Sequence, residues 1–135
     1  MKPAFLDTGY LIALEAADDE NHQAALRHWQ SEAGASLPLV TTTYVISEVV
    51  TFFNNRGRHA KAVEIGHRLL ASPSVRIVHV DQALFFRAWR YFREHSDKTY
   101  SFTDCVSFVL MRTLELGTAL AFDRHFVQAG FRKLP

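Results

Sequence analysis

The stretch Pro3-Ala4-Phe5-Leu6-Asp7-Thr8-Gly9-Tyr10-Leu11-Ile12-Ala13-Leu14 decides how the rest of the chain is read. Pro3 to Leu6 is a short apolar run of strand length. It stops at an acid, Asp7, and Tyr10 to Ala17 then reads as a helix. The same unit returns further along. Leu37 to Val40 runs into the hydroxyls of Thr41 to Thr43, which can cap a helix that continues to about Asn54. Val75 to Val80 is rich in β-branched residues and meets Asp81, a natural N-cap for a helix from Gln82 to His95. Thr118 to Phe122 meets Asp123, before a short helix from about Arg124 to Ala129 and a last strand at Phe131 to Lys133. Short apolar strands alternating with helices imply βα crossovers and a mainly parallel sheet covered on both faces. In such α/β folds ligands bind outside the carboxyl ends of the strands.

Three further helices fill the gaps. Asn21 caps one that reaches Glu32 and stops at Gly34. One from His59 to Ala71 lies between Asn55-Arg56-Gly57 and Ser72-Pro73. One opens at Ser101 and runs to about Leu116, closed by Gly117. In the helix from Gln82, the residues Phe85, Ala88, Trp89 and Phe92 fall at helical spacing and are expected on its inner face. No repeat, low-complexity stretch or long linker divides the 135 residues, so one domain spanning 1–135 is expected.

Hydrophobic residues make up 48% of the chain, which is enough for a packed core and argues against disorder. A net charge of +1 does not suit a histone-like polycation, but it allows a basic rim beside an acidic site. The single cysteine, Cys105, excludes an internal disulfide and a multi-cysteine zinc site. No apolar stretch is long enough to span a membrane, and Asp7 interrupts what would otherwise pass for a signal peptide. A cytoplasmic protein is expected.

Four of the acids stand in unusual places. Asp7 and Asp123 end strands and would project from the carboxyl edge of the sheet; each is open to two readings, helix cap or functional acid. Glu48 lies three residues after Val45 and four before Phe52, which assigns it to an apolar helical stripe where an unpaired carboxylate is costly. Asp104 completes the capping-box pattern of Ser101-Phe102-Thr103-Asp104, at the start of a helix apolar on most faces. Four acids in one pocket would repel one another. A divalent cation resolves the repulsion, and oxygen donors favour magnesium or manganese. Such an ion can activate water and stabilise charge at a phosphodiester.

These residues resemble the PIN-domain nucleases, especially the VapC-type toxins of toxin–antitoxin pairs. Phe5-Leu6-Asp7-Thr8-Gly9-Tyr10 looks like the family's first-strand motif, and Ser47-Glu48-Val49 like its helical acidic motif. Ser101-Phe102-Thr103-Asp104-Cys105 looks like the third motif, with Cys105 a mild departure from the usual small residue. Ala121-Phe122-Asp123-Arg124-His125-Phe126, followed by Gly130-Phe131, looks like the fourth motif and closing strand. The resemblance spans nearly the whole chain. It implies a three-layer α/β/α fold and a Mg2+-dependent endoribonuclease, with Mn2+ as a substitute. It also implies a homodimer and inhibition by a small antitoxin protein. On this resemblance Asp7, Glu48, Asp104 and Asp123 are the catalytic, metal-binding acids, with Thr8 and Thr103 ordering the pocket through their hydroxyls.

Other residues fit less specific roles. Asp81 is explained by its cap, in preference to a fifth pocket acid. Arg87, Arg90 and Arg93 on one helix, and Arg56, Arg58 and Lys61 on another, are either RNA-phosphate contacts or solvated helix faces. Arg124, beside Asp123, either meets substrate phosphate or pairs with a carboxylate. The seven histidines lack zinc spacing, and His125 is read as packing or surface. Tyr10, Tyr44, Phe52 and Phe53 are read as core or dimer-interface residues rather than base-stacking platforms. Three functions compete with the toxin: a nuclease of routine RNA processing, a magnesium-dependent phosphotransfer domain with Asp7 as nucleophile, and an inactive binding module. Gly9, standing where such phosphotransferases usually place a second Asp, argues against the phosphotransfer domain. The four acids together argue against the inactive module.

Overall fold

The structure, a computed structural model, describes residues 2–31, 34 and 36–135. Its centre is a five-stranded, fully parallel sheet in the order β3-β2-β1-β4-β5. The strands are β1 (Ala4–Leu6), β2 (Leu39–Thr42), β3 (Val75–Val78), β4 (Thr118–Leu120) and β5 (Arg132–Leu134). Seven helices join them among the described residues. These are α1 (Thr8–Glu15), α2 (His22–Gln30), α3 (Thr43–Asn55), α4 (His59–Ala71), α5 (Gln82–Glu94), α6 (Phe102–Thr113) and α7 (His125–Gln128). The chain builds outward from β1 through β2 to β3, then crosses back to lay β4 on the other side of β1. Helices α1 to α4 pack on one another and α5 packs on α6, which gives the three-layer α/β/α arrangement. The reversal at β1 opens a crevice between the carboxyl ends of β1 and β4, where α/β folds bind ligands.

The central strands are covered on both faces. Ala4, Phe5 and Leu6 of β1 are all buried, as are all four residues of β2. Such burial removes the need for polar alternation. Phe108 on α6 and Phe126 on α7 close the core at one end, with ring centroids 5.0 Å apart in an edge-to-face contact. Tyr10 is fully buried, its hydroxyl 2.8 Å from Nδ1 of His28 and its ring stacked on Phe122. It is a core residue, as is Phe53.

Side-chain caps mark the starts of three helices, α3, α5 and α6. The Thr42 hydroxyl accepts from the Val45 amide at 3.2 Å and starts α3. Asp81 accepts from the Leu84 amide at 2.9 Å and starts α5, the cap expected of it. A cap of this kind contributes about 1 kcal/mol. Gly57 takes φ 70° just past α3, a left-handed conformation that glycine adopts without steric cost. The end of α6 departs from expectation. The helix stops at Thr113, and Glu115, not Gly117, takes the left-handed conformation at φ 56°. The end expected for α2 at Glu32 lies outside the described residues; the helix ends at Gln30. Near its close a Cβ at Gly34 would collide with the carbonyl oxygen of His28, so only glycine fits the approach.

One packing expectation is corrected. Phe85, Trp89 and Phe92 share a face with buried Ala88, but they are 36%, 47% and 40% exposed. Their rings lean on a single aromatic, Phe102 at the start of α6. The spacing is helical, but only Leu84 and Ala88 are buried in α5.

Candidate active site

Three acids meet at the crevice between β1 and β4. Asp7 follows β1 directly, and its amide still donates to the Leu120 carbonyl of β4 at 3.1 Å, which pins it between the two strands. It occupies the N-cap position of α1, yet its carboxylate makes no capping hydrogen bond. The cap reading therefore leaves this acid unexplained. Asp7 is only 5% exposed, and its pKa is pushed up from 3.8 to about 8. Burial is the largest cause, followed by the charge of Asp104, with a smaller push from Asp123. The nearby Thr8 and Gly9 amides offset this only in part.

Asp104 is held from two sides. Ser101 and Asp104 form the expected capping box: the Ser101 hydroxyl accepts from the Asp104 amide at 3.0 Å, and Asp104 Oδ2 accepts from the Ser101 amide at 3.1 Å. The same Oδ2 also accepts from His125 Nδ1 at 3.1 Å. Capping and site geometry are thus compatible, because one oxygen serves the helix. Burial first, then the charge of Asp123, raises the Asp104 pKa against the lowering effects of the Ser101 amide and His125. Asp123, after β4, is half-buried; its Oδ1 accepts the His125 amide at 2.9 Å, and its Oδ2 lies 3.2 Å from His125 Nδ1.

Glu48 stands differently from its sequence reading. The buried stripe of α3 is Val45, Val49 and Phe53, while Phe52 is only half-buried and Glu48 is exposed. At about 100° per residue, the stripe centres on Val49, and Glu48 falls on its flank. The desolvation argument for Glu48 is thereby overturned. What ties Glu48 to the site is Thr8, whose hydroxyl donates to Glu48 Oε1 at 2.9 Å from the residue that follows Asp7. Thr8 and Glu48 open onto a groove lined by Ile12, Ser47, Thr51, Phe52 and Asn55. The Arg56 guanidinium covers the Phe52 ring at 3.7 Å.

The remaining candidates are placed as follows. The Thr103 hydroxyl makes no hydrogen bond among the described residues; the Thr103 carbonyl accepts from Ser107 at 3.0 Å. Arg124 is exposed and pairs with no carboxylate there. Arg87 donates to Thr113 at 2.6 Å. Arg87 and Arg90 line a hollow with Arg112 and Glu94 that contains none of the four acids. Lys61 is taken by Glu15 at 3.1 Å. Sequence reasoning missed His125, set aside as packing or surface. Its ring joins Asp104 and Asp123, and one donor atom from each of the three residues lies within 4.8 Å of the others. The available signal was its position two residues after Asp123, on a turn that ends a strand.

The donor set suits a divalent cation. Among the described residues no Lys or Arg pairs with Asp7, Asp104 or Asp123, and burial holds the proton on Asp7. Converging carboxylates without a protein counter-charge are the arrangement in which hard cations are held.

Residues 4–132 match the PIN domain family. Over 127 residues the chain is 36% identical to the 23S rRNA-specific endonuclease VapC20 of Mycobacterium tuberculosis, in strain CDC 1551 / Oshkosh and in strain ATCC 25618 / H37Rv. The alignment covers 94% of this chain and 94% of that protein. The crystal structure of M. tuberculosis VapC20, described as a sarcin-ricin loop cleaving toxin, superposes with a TM-score of 0.85 at 35% identity and covers 95% of each chain. A parallel five-stranded sheet, acids at the crevice beside β1 and a match over nearly the full length have one reading: the chain belongs to the PIN domain family.

Proposed function

We propose that this chain, as one domain spanning residues 1–135, is a Mg2+-dependent endoribonuclease, with Mn2+ able to substitute. We propose further that it is the toxin of a VapBC-like toxin–antitoxin pair and works in the cytoplasm. The observation that carries the reading is the meeting of Asp7, Asp104 and Asp123 at one sheet edge with, among the described residues, no Lys or Arg paired to them. Asp7, Asp104 and Asp123 would hold the cation, with Glu48 reached through Thr8. A bound divalent ion supplies Lewis-acid stabilisation of the phosphodiester and lowers the pKa of attacking water. Thr8 orients the Glu48 carboxylate toward the groove, where an RNA strand has room to pass. Arg124, exposed beside Asp123, would meet a substrate phosphate, and Arg87 and Arg90 would add contacts further out.

The relatives' printed activities point to structured ribosomal RNA as the first substrate to try. An oligonucleotide of the sarcin-ricin loop, incubated with protein and Mg2+ or Mn2+, is expected to be cut once. Excess chelator should slow the cut by about a hundredfold or more, since the ion supplies several kcal/mol of charge stabilisation. Cleavage at an undiminished rate in chelator would refute the metal-dependent reading. For the toxin role, the product of a small neighbouring gene is expected to block the cut.

A homodimer is supported by the open aromatic face of α5, where Trp89 and Phe86 are 47% and 57% exposed. No described helix is long and apolar enough to cross a membrane, so a membrane does not account for this face through a spanning helix. Light scattering should give twice the chain mass for the wild type and the chain mass for Trp89→Glu. A wild type at the chain mass would remove the dimer.

A further inference from the structure

We infer that His125 is itself a metal ligand, binding through Nδ1 beside Asp104 and Asp123, and that this mixed nitrogen–oxygen set makes the site hold Mn2+ and Co2+ in preference to Mg2+. The inference rests on the metal-dependent reading above and deepens it by naming a nitrogen donor and ranking the affinities of the ions that serve.

Spacing is the first support. His125 Nδ1 lies 3.1 Å from Asp104 Oδ2 and 3.2 Å from Asp123 Oδ2. Two donors at right angles around an ion a little over 2 Å away stand about 3 Å apart. The two separations thus match neighbouring corners of one octahedral shell. Asp104 comes from α6, and Asp123 and His125 from the connection after β4 and the start of α7, so two separate parts of the fold set the spacing.

The imidazole is also held in the orientation that ligation requires. Its far nitrogen, Nε2, lies 3.2 Å from the Thr99 hydroxyl, and Tyr100 packs edge-on against the ring with centroids 5.3 Å apart. A ligating histidine characteristically hydrogen-bonds through its other nitrogen, which fixes the tautomer. A neutral imidazole with its proton on Nε2, bonded to Thr99, presents the Nδ1 lone pair to an ion beside the carboxylates. The backbone holds the unit rigid: the His125 amide donates to Asp123 Oδ1 at 2.9 Å, and the next residue, Phe126, is fully buried. Imidazole and carboxylate are therefore presented as one rigid pair.

Selectivity follows from donor chemistry. Carboxylates alone suit Mg2+, Ca2+ and Mn2+ alike, whereas an imidazole raises affinity along the series from Mn2+ to Co2+. Mg2+ sheds its water reluctantly and gains least from nitrogen.

The test uses the full chain loaded with Mn2+ alone, with no RNA. Pulsed electron paramagnetic resonance should detect 14N coupling to the bound ion, and incorporation of 15N-histidine should change that coupling to the 15N pattern. Asp104→Asn, which should weaken Mn2+ binding, locates the ion at this cluster. Calorimetry of His125→Ala should show Mn2+ affinity down by about tenfold or more, with Mg2+ affinity changed far less. Mn2+ bound at the cluster without nitrogen coupling overturns the inference and leaves the metal-dependent reading standing. An equal loss for Mn2+ and Mg2+ overturns the selectivity. A wild type that binds no Mn2+ overturns the inference together with that reading. The wild-type spectrum decides the point even if the variant does not fold.

Discussion

Asp7→Asn is expected to cut RNA cleavage by a hundredfold or more and, with chelator present, to make the protein more stable. The two effects have one cause. Asp7 is buried against Asp104 and Asp123, and its carboxyl holds a proton up to about pH 8 in the folded protein, whereas the unfolded chain releases it near 3.8. Between those values the folded state binds more protons than the unfolded state. The contribution of Asp7 is therefore complete below about pH 4 and lost as pH rises through about 8. An amide of the same shape has no charge to desolvate. Metal-free Asp7→Asn should then gain roughly 1–3 kcal/mol over wild type at pH 8 and above, and the gain should vanish at pH 4. Urea melts of both proteins at the two pH values, in chelator, read this directly. An Asp7→Asn protein less stable than wild type at pH 8 would mean that the carboxylate is structurally compensated, contrary to the site drawn here. The activity arm is a cleavage rate, and an unchanged rate would remove Asp7 from the chemistry.

Phe126→Ala is expected to cost about 3–5 kcal/mol, a large part of the 5–15 kcal/mol of a typical domain. Phe126 is fully buried, with its ring 5.0 Å from Phe108 and 6.3 Å from Phe5. Helix α7 is a single turn and contributes almost nothing through its own hydrogen bonds. Phe126 is the buried side chain of this helix, and its ring is therefore the main apolar anchor of the turn that carries His125. The urea midpoint should fall with an unchanged slope. The next residue, Val127, is 53% exposed, and Val127→Ala should stay within about 0.5 kcal/mol. Similar losses for the two variants would mean that α7 is not held through Phe126.

Legibility in the sequence followed the range of the interactions. Helix α4 is bounded by Gly57 before it and Ser72-Pro73 after it, and its extent was read without error. The caps at Asp81 and Ser101 were equally plain, since each is a contact across three residues. Asp7, Asp104 and Asp123 were legible because strand ends and a capping box mark them locally. Glu48 was selected for a reason that does not hold. Taking Phe52 rather than Phe53 as the buried ring rotated the apolar stripe of α3 onto its flank. His125 was illegible for the opposite reason. Its partner Asp104 lies 21 residues earlier on another helix, and no periodicity reports such a contact. The face of α5 shows a third limit: spacing located Phe85, Trp89 and Phe92 on one side of the helix, but whether that side is covered depends on what packs there.

The order of the strands also bears on how the molecule comes into being. Because β4 inserts beside β1, the first acid of the site, at residue 7, waits for the charges of Asp104 and Asp123 and for His125, which joins those two. During synthesis the earlier segments can dock α1 to α4 on β1, β2 and β3 while the crevice beside β1 still lacks its second wall. The acid cluster thus closes only after residue 125 has been made. A growing chain therefore lacks the completed acid cluster until almost its whole length has been made.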